Sequence, residues 1–205
     1  KGEVNKMIKK YLGKMLIALG CIIIIVAISL KIITDYKQKK IVDNYRDYIS
    51  NMQNEDKSFN ENKKAFETYT SQEQSSNIIG ILSIPKLDLN VGIGEGVDNE
   101  TLKYSVGHFS DTAMPGQKGN FCVIGHRSCT YGEFFNRLDE IEENDEIIVE
   151  YNGKEFKYKV TEIKVVKPEE ISVLNQSEEE EITLITCTPI RVGSHRLIIK
   201  GIREQ

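Results

Sequence analysis

Near its C-terminus the chain reads Thr183-Leu184-Ile185-Thr186-Cys187-Thr188-Pro189, followed by Ser194-His195-Arg196-Leu197-Ile198-Ile199. Both stretches are rich in aliphatic and β-branched residues, which predicts two short strands joined by a turn. Cys187 then falls where the first strand ends, and Arg196 where the second begins. Thiolate is the reactive form of cysteine, and nearby positive charge favours it. The stretch therefore predicts either a nucleophilic thiol at a strand end or a packed structural cysteine.

Upstream of this hairpin, from Ile78 onward, the sequence consists of short apolar runs separated by turn residues. The predicted strands are Ile78–Ile84, Leu89–Ile93, Asn120–Gly125, Glu146–Tyr151, Phe156–Val166, Ile182–Cys187 and Leu197–Ile202. Two short helical pieces, Asp98–Tyr104 and Glu133–Leu138, interrupt them. Many short strands with few helices predict an all-β domain that forms a closed or nearly closed barrel, because closure removes exposed strand edges. The absence of long βα alternation argues against a Rossmann or hydrolase-type sheet.

The N-terminal segment has the composition of a membrane anchor. Residues 1–14 are rich in lysine, and the run from Met15 to Thr34 is apolar apart from Lys31. About 20 such residues cross a bilayer. Lysine excess before the run predicts a cytoplasmic N-terminus and an extracellular remainder, held at the cell membrane by a single pass. A cleaved signal peptide is the main alternative, since Ala27-Ile28-Ser29 resembles a small-residue cleavage site. The run continues past that tripeptide, which favours a retained anchor.

Between the anchor and the β-rich region the composition becomes polar. The first apolar set has helical spacing and consists of Ile41, Tyr45, Tyr48, Ile49 and Met52, and a second set consists of Ala65, Phe66 and Tyr69. This pattern predicts a helical stalk that packs against the next domain and ends in a polar linker around Thr70–Asn77. The expected organisation is a basic tail (1–14), a transmembrane anchor (15–34), a stalk and linker (35–77) and a β-domain (78–205).

Charge and cysteine content exclude several functional classes. The formal net charge is −4 without a basic stripe, so no nucleic-acid partner is expected. Cys21 lies in the apolar anchor, which leaves the odd set Cys122, Cys129 and Cys187 and argues against a disulfide framework. Cys122 and Cys129 bracket His126, but a zinc site needs a fuller ligand set, so no metal site is expected there.

The chain has three histidines, His108, His126 and His195. A cysteine nucleophile needs an acid for the leaving group and a base for the incoming one, and histidine titrates in the useful range. His126 follows a predicted strand. His195 is adjacent to Arg196, so the side chains of His195 and Arg196 would point to opposite faces of a strand. A guanidinium can stabilise the oxyanion of a tetrahedral intermediate. Cys187, His126 and Arg196 would therefore supply the three roles if the fold brings them together.

The order of these residues resembles that of the sortases, membrane-anchored cysteine transpeptidases of Gram-positive bacteria. Thr183-Leu184-Ile185-Thr186-Cys187 is similar to the family's TLxTC signature, and Arg196 follows it on the next predicted strand. Gly125-His126-Arg127 is similar to the segment that carries the family's histidine. The central segment around it, Gly107-His108-Phe109 to Leu138, also resembles the family. The resemblance covers roughly Ile78 to Arg203.

The resemblance implies an eight-stranded sortase-type barrel and a two-step transfer reaction without a cofactor. Cys187 would attack an LPxTG-like sorting signal and form a thioacyl intermediate, which an amine would then resolve. His126 would act as general acid and then base, and Arg196 would bind substrate backbone and steady the oxyanion. The implied partners are sorting-signal proteins and an amine acceptor, either a cell-wall precursor or a pilin lysine.

The sequence leaves the sortase subclass open and is also compatible with two other functions. Thr186-Cys187-Thr188-Pro189 with His195-Arg196-Leu197 is most similar to the pilin-polymerising class C enzymes. Residues 35–77 contain no proline, however, and so lack the Asp-Pro-aromatic lid motif of that class. A surface cysteine protease that only hydrolyses would use the same Cys187 and His126. A non-catalytic anchored β-domain that binds a wall partner would use neither.

Overall fold

A computed structural model of the chain describes residues 2–54, 77–127 and 134–204. One long helix, α1 (Gly2–Asn54), precedes a set of strands with short 3-10 turns. The remaining elements are β1 (Ile78–Ile84), β2 (Leu89–Glu95), α2 (Asn99–Tyr104), β3 (Val106–His108), β4 (Gly119–Ile124), β5 (Glu146–Tyr151), β6 (Lys154–Val166), β7 (Glu180–Thr188) and β8 (His195–Arg203). The 3-10 turns are Pro85–Leu87, Leu138–Glu140 and Ile171–Leu174.

The eight strands close into a barrel in the order β1-β2-β3-β4-β7-β8-β6-β5. Two neighbouring pairs, β2 with β3 and β4 with β7, are parallel, and the other pairs are antiparallel. The eight-stranded barrel implied by the resemblance is confirmed. Seven strands lie within two residues of their predicted bounds. The eighth, β3, spans three residues and is too short for an alternating pattern to reveal it.

Strand residues alternate between the barrel interior and its outer surface. The interior holds fully buried side chains such as Leu82, Ile93, Phe121 and Leu184. A separate apolar cluster lies on the outer face and consists of Val173, Ile185 and Ile198, with Phe109, Ile124, Val166 and Leu174 packed against it. We call this set the outer cluster. Because Ile185 alternates with interior Leu184, the row Thr183, Ile185, Cys187 on β7 faces outward.

Hydrogen bonds from the side chain of buried Asn120 hold the β6–β7 connection against the outer face of the barrel. Its Nδ2 donates to the carbonyl oxygens of Val173 at 2.9 Å and Asn175 at 3.2 Å. Its Oδ1 accepts from the Thr183 hydroxyl at 2.7 Å. A buried amide with all these partners stabilises the fold, whereas an unpaired one would cost free energy. The 3-10 turn Ile171–Leu174 is therefore fixed next to the outer cluster.

The chain divides into two compact units, residues 1–37 and 38–205. In the first unit, α1 is long and apolar enough to cross a membrane by length and composition, and its aliphatic side chains, such as Leu16 and Ile24, are exposed. A helix whose apolar side chains stay exposed is suited to a lipid environment. This composition matches the segment predicted as an anchor.

In the second unit, the C-terminal part of α1 packs on the barrel. Val42 and Tyr45 are buried with Ile81, and the Tyr45 hydroxyl donates to the Ile79 carbonyl at 2.9 Å. Arg46 pairs with Glu150 on β5. The predicted apolar stripe thus contacts the barrel through Tyr45 and Ile49, whereas Met52 is exposed. The second predicted apolar set, from Ala65 to Tyr69, lies outside the described residues.

The two predicted helical pieces have different outcomes. The first is a helix, α2, whose N-cap Asp98 accepts from the backbone amides of Glu100 and Thr101. The second is wrong over its described part, because Phe134–Arg137 forms turns and only Leu138–Glu140 is helical, as a 3-10 turn. The physical reason is that Phe135 is fully buried, which ties this segment to the barrel instead of letting it form a regular helix.

Buried His108 and half-buried Glu95 form a pair at the end of the β2–β3 ladder. The Nδ1 atom of His108 lies 2.9 Å from Glu95 Oε2, and its Nε2 lies 3.1 Å from the Thr112 hydroxyl. Partial burial alone would raise the pKa of Glu95, but hydrogen bonds with Ser110 and His108 outweigh burial and hold the pKa below its ordinary value. The ionised carboxylate is therefore the form that stabilises the folded chain.

We expect Glu95→Gln to change how stability depends on pH. Above the ordinary glutamate pKa of about 4.3 the carboxylate stabilises the folded state fully, and this contribution is lost as the pH falls through the lower folded pKa. The free energy of unfolding of the variant should be about 1–2 kcal/mol lower than that of wild type at pH 7, and this difference should shrink below about pH 4. Urea unfolding at both pH values checks this, with exposed Glu169→Gln as control. A difference independent of pH would contradict the assigned pair.

Candidate active site

Strand register pairs two of the three predicted site residues, and the third, His126, follows the end of a neighbouring strand. Cys187 on β7 lies directly opposite Arg196 on β8. The parallel ladder of β4 and β7 keeps a constant offset and ends with Ile124 opposite Ile185. His126 and Cys187 each follow the last ladder pair by two residues along their own strand directions.

Hydrogen bonds keep β4 and β7 together beyond the last ladder pair. The Gly125 amide donates to the Ile185 carbonyl at 3.1 Å, and the Thr186 hydroxyl donates to the Gly125 carbonyl at 2.8 Å. Both bonds involve the residues immediately before His126 and Cys187. The backbone that carries the two side chains is thus fixed on both strands.

The three residues continue the outward-facing rows that form the outer cluster. Ile124, Ile185 and Ile198 belong to that cluster, and each lies two residues from a site residue along its own strand. His126, Cys187 and Arg196 are half-buried. Aliphatic side chains therefore shield one side of the site from water.

Gly125 allows a close approach that no other residue would permit. A β-carbon at this position would lie 2.7 Å from Cδ2 of buried Phe135 and 3.0 Å from Cγ1 of Val106. Contacts below 3 Å require a shift of one partner, and neither the ring nor the strand has space to shift in a packed core. The glycine thus lets the backbone after β4 pack against Phe135. This contact fixes the backbone position of the next residue, His126.

Arg196 is held beside the thiol by the turn that joins β7 and β8. Its Nη1 donates to the carbonyl oxygens of Gly193 at 3.0 Å and His195 at 3.1 Å. Gly193 has a φ of +66°, and a β-carbon there would lie 3.9 Å from Cys187 Sγ. Within the described part of the chain, Nε and Nη2 of Arg196 have no acceptor. These donors can bind a substrate carbonyl next to the thiol.

A fourth residue, Arg127, was not singled out by sequence reasoning beyond its place in Gly125-His126-Arg127. Its guanidinium is buried, donates to the Thr188 hydroxyl at 2.8 Å and pairs with Asp139 at 2.8 Å. The only sequence signal was a charged residue directly after a strand-end histidine. Its partners lie far away in the chain, so no local pattern could reveal the contacts.

Comparison with known proteins places this geometry in a family. The sequence profile of the Sortase domain matches residues 82–204, more than half of the chain. The chain belongs to the sortase family. Sortase SrtE1 of Streptomyces coelicolor is 39% identical over 59% of this chain and 39% of its own length. Sortase D of Bacillus subtilis is 35% identical over 69% of each chain. The matched region therefore spans well under half of the first relative and about two thirds of the second.

Solved structures agree with the family assignment. The pilus-related Sortase C of Group B Streptococcus superimposes with a TM-score of 0.61 at 32% identity, covering 63% of this chain and 69% of that one. Sortases are cysteine transpeptidases.

Other side chains of this sortase that the sequence raised as candidates lie away from the site or outside the described residues. His195 pairs with Thr188, one position from the Cys187–Arg196 pair, so its side chain points to the opposite face. Cys122 is buried, and burial raises the pKa of its thiol to about 12, which keeps it protonated. Cys129 lies outside the described residues.

We expect Gly125→Ala to destabilise this sortase by about 1–3 kcal/mol, because overpacking forces Phe135 or the β4 exit to shift. Phe135→Leu in the Gly125→Ala background frees space and should recover part of the loss, giving a coupling energy of about 1 kcal/mol or more in a double-mutant cycle. Thermal and urea unfolding measure both effects. Additive effects of the two substitutions would show that the two positions do not contact as described.

Proposed function

We propose that this sortase is a membrane-anchored transpeptidase that cleaves an LPxTG-like sorting signal and transfers the protein to an amine. The observation that carries the proposal is strand register, which pairs Cys187 with Arg196 on β8 and pairs β4 with β7 up to Ile124 and Ile185, two residues before His126 and Cys187. Acyl transfer needs a nucleophile, an acid–base group and an oxyanion donor within reach of one carbonyl. Three adjacent strands supply one each.

In the first step, the thiolate of Cys187 attacks the threonine carbonyl of the signal. A carbon–sulfur bond forms, and the carbonyl π electrons move to the oxygen. When the tetrahedral intermediate collapses, the carbon–nitrogen bond breaks, and protonated His126 gives its proton to the leaving glycine amine. The product is a thioacyl enzyme that holds the N-terminal part of the substrate.

In the second step, an acceptor amine attacks the thioacyl carbonyl. Neutral His126 takes a proton from that amine, the carbon–sulfur bond breaks, and the thiolate of Cys187 is released. The new amide joins the substrate to the acceptor. No redox or metal chemistry is needed for electrons and protons to balance in the two steps.

Arg196 binds the substrate backbone and stabilises the oxyanion of both tetrahedral intermediates. Its Nη1 is occupied by carbonyl oxygens of the β7–β8 turn, which fixes the guanidinium plane. Pre-oriented donors stabilise developing charge without reorganising at the moment of reaction. A lysine would provide charge without the planar pair of donors.

The proposed acceptor is an amine outside the cell, carried by a cell-wall precursor or by a pilin lysine. The N-terminal apolar helix and the lysines before it support an extracellular catalytic domain. The likeness to a pilus-related sortase supports a pilin acceptor. The absence of proline from residues 35–77 removes the usual lid motif of that class and supports a wall precursor. A test of this proposal therefore needs both kinds of amine as acceptors.

We expect Cys187→Ala and His126→Ala to abolish peptide transfer, and Arg196→Ala to reduce it by about 100- to 1,000-fold. Arg196→Lys should recover little, because a point charge does not replace a bidentate donor. The assay combines LPxTG-like peptides with triglycine or a lysine-bearing pilin peptide and follows the new amide by mass spectrometry. Arg203→Lys, at the far end of β8, is the matched control and should match wild type.

Three outcomes would contradict the proposal in different ways. Cleavage that yields no aminolysis product with either amine would indicate a protease that only hydrolyses. Activity that survives in Cys187→Ala would remove the thiol from the mechanism. Full transfer in Arg196→Ala would remove its role at the oxyanion.

A further inference from the structure

Arg127 is a buried cation at the edge of the site. Its side chain is 4% exposed, although it directly follows the strand-end histidine, His126. Burying a guanidinium is costly unless its charge is paired and its donors are satisfied. The contacts that satisfy it indicate what the residue does.

The guanidinium joins the chain after β4 to two other segments, the turns at residues 134–140 and the end of β7. Its Nη2 pairs with Asp139 Oδ1 at 2.8 Å, in the 3-10 turn Leu138–Glu140. Its Nη1 donates to the Thr188 hydroxyl at 2.8 Å and lies 3.4 Å from the Cys187 carbonyl oxygen, both at the end of β7. Its Nε is 3.5 Å from the backbone carbonyl oxygen of Asn136, and the side-chain Nδ2 of Asn136 donates to the Arg127 carbonyl at 2.9 Å.

These contacts lie where the β4–β7 ladder has ended. The last ladder pair is Ile124 with Ile185, and the bonds of Gly125 follow it. The next direct bonds between the two strand ends that carry His126 and Cys187 are those of Arg127. Among the described residues, the backbone at His126 would without them be joined to β7 only through the bonds of Gly125, one residue earlier.

We propose that Arg127 is a positioning residue that sets the place of His126 relative to Cys187 during acyl transfer. The guanidinium is buried, and its contacts are with protein backbone, Thr188 and Asp139, so it acts through the two catalytic side chains and not on substrate. The kinetic part of this proposal rests on the proposed function. The spatial relation between imidazole and thiol does not depend on any substrate.

An arginine is needed because its donors point in several fixed directions. Lysine would keep the charge opposite Asp139, but its single ammonium cannot reach Asp139, Thr188 and the Asn136 carbonyl together. We therefore expect a graded series in which Arg127→Lys is intermediate and Arg127→Met is worst. Arg137 offers a matched control, since it pairs with Glu140 in the same turn but is about half exposed.

The first test needs no sorting signal. The full chain in detergent micelles is alkylated with iodoacetamide across pH 5–9, and mass spectrometry follows the peptide that contains Cys187. Wild type and His126→Ala define the profiles with and without a neighbouring imidazole. We expect the pH profile of alkylation in Arg127→Met to coincide with that of His126→Ala. The profile of Arg127→Lys should lie between those of wild type and His126→Ala. The profile of Arg137→Met should match wild type.

The second test compares two leaving groups in single-turnover acylation. A peptide amide needs His126 to protonate the departing amine, whereas the matching peptide thioester releases a thiolate that needs no proton. General acid catalysis contributes about 100- to 10,000-fold. We expect Arg127→Met to lower the acylation rate by about 30-fold or more with the peptide amide, and by about threefold or less with the thioester. Circular dichroism and thermal unfolding confirm that each variant is folded at the assay temperature.

Two results would overturn the inference. One is an Arg127→Met alkylation profile that coincides with wild type, and the other is an equal loss on amide and thioester, which would indicate a purely structural role. Failure of the proposed function has a different signature. Wild type would then form no thioacyl adduct on Cys187 with any peptide, while the alkylation profiles would still decide the position of Arg127 in the site.

Discussion

The parallel pairing of β4 with β7 is the constraint on which the site depends. Parallel strands have evenly spaced hydrogen bonds and keep one offset along their length, so the register set at Gly119 and Glu180 also fixes what lies beyond Ile124 and Ile185. A shift of one residue would turn Cys187 inward and separate it from the level of His126. The antiparallel partner β8 then adds Arg196 without further adjustment.

Elements around this pair make the register hard to change. On the outer face, Asn120 binds both the β6–β7 connection and Thr183, so β4 and β7 share a buried polar network as well as a ladder. Apolar side chains of the outer cluster cover the ladder next to that network. Polar satisfaction and apolar burial thus select the same alignment, and agreement between levels of structure is what specifies a single fold.

The sequence predicts most of this fold because strand periodicity and turn residues are local signals. It also predicts Cys187, His126 and Arg196, since each is a chemically capable residue at a strand end. It could not predict β3, whose three residues carry no period, or the turns around Phe135, where burial in the core overrides helical spacing. The contact of Arg127 with Thr188 was equally inaccessible, because Thr188 is 61 residues away and becomes its neighbour only when β7 pairs with β4.

The chain order of the strands has a consequence for the sequence of events during folding. Cys187 and Arg196 lie in the last two strands, whereas His126 follows β4, which pairs with a strand about sixty residues later. Such distant pairing is slow, because loop closure precedes any gain from contacts. Until β7 and β8 insert, β4 and β6 have open edges, and the thiol has neither its imidazole nor its guanidinium. The three residues of the candidate site thus come together in the same step that closes the barrel, so an incompletely folded chain lacks the assembled site.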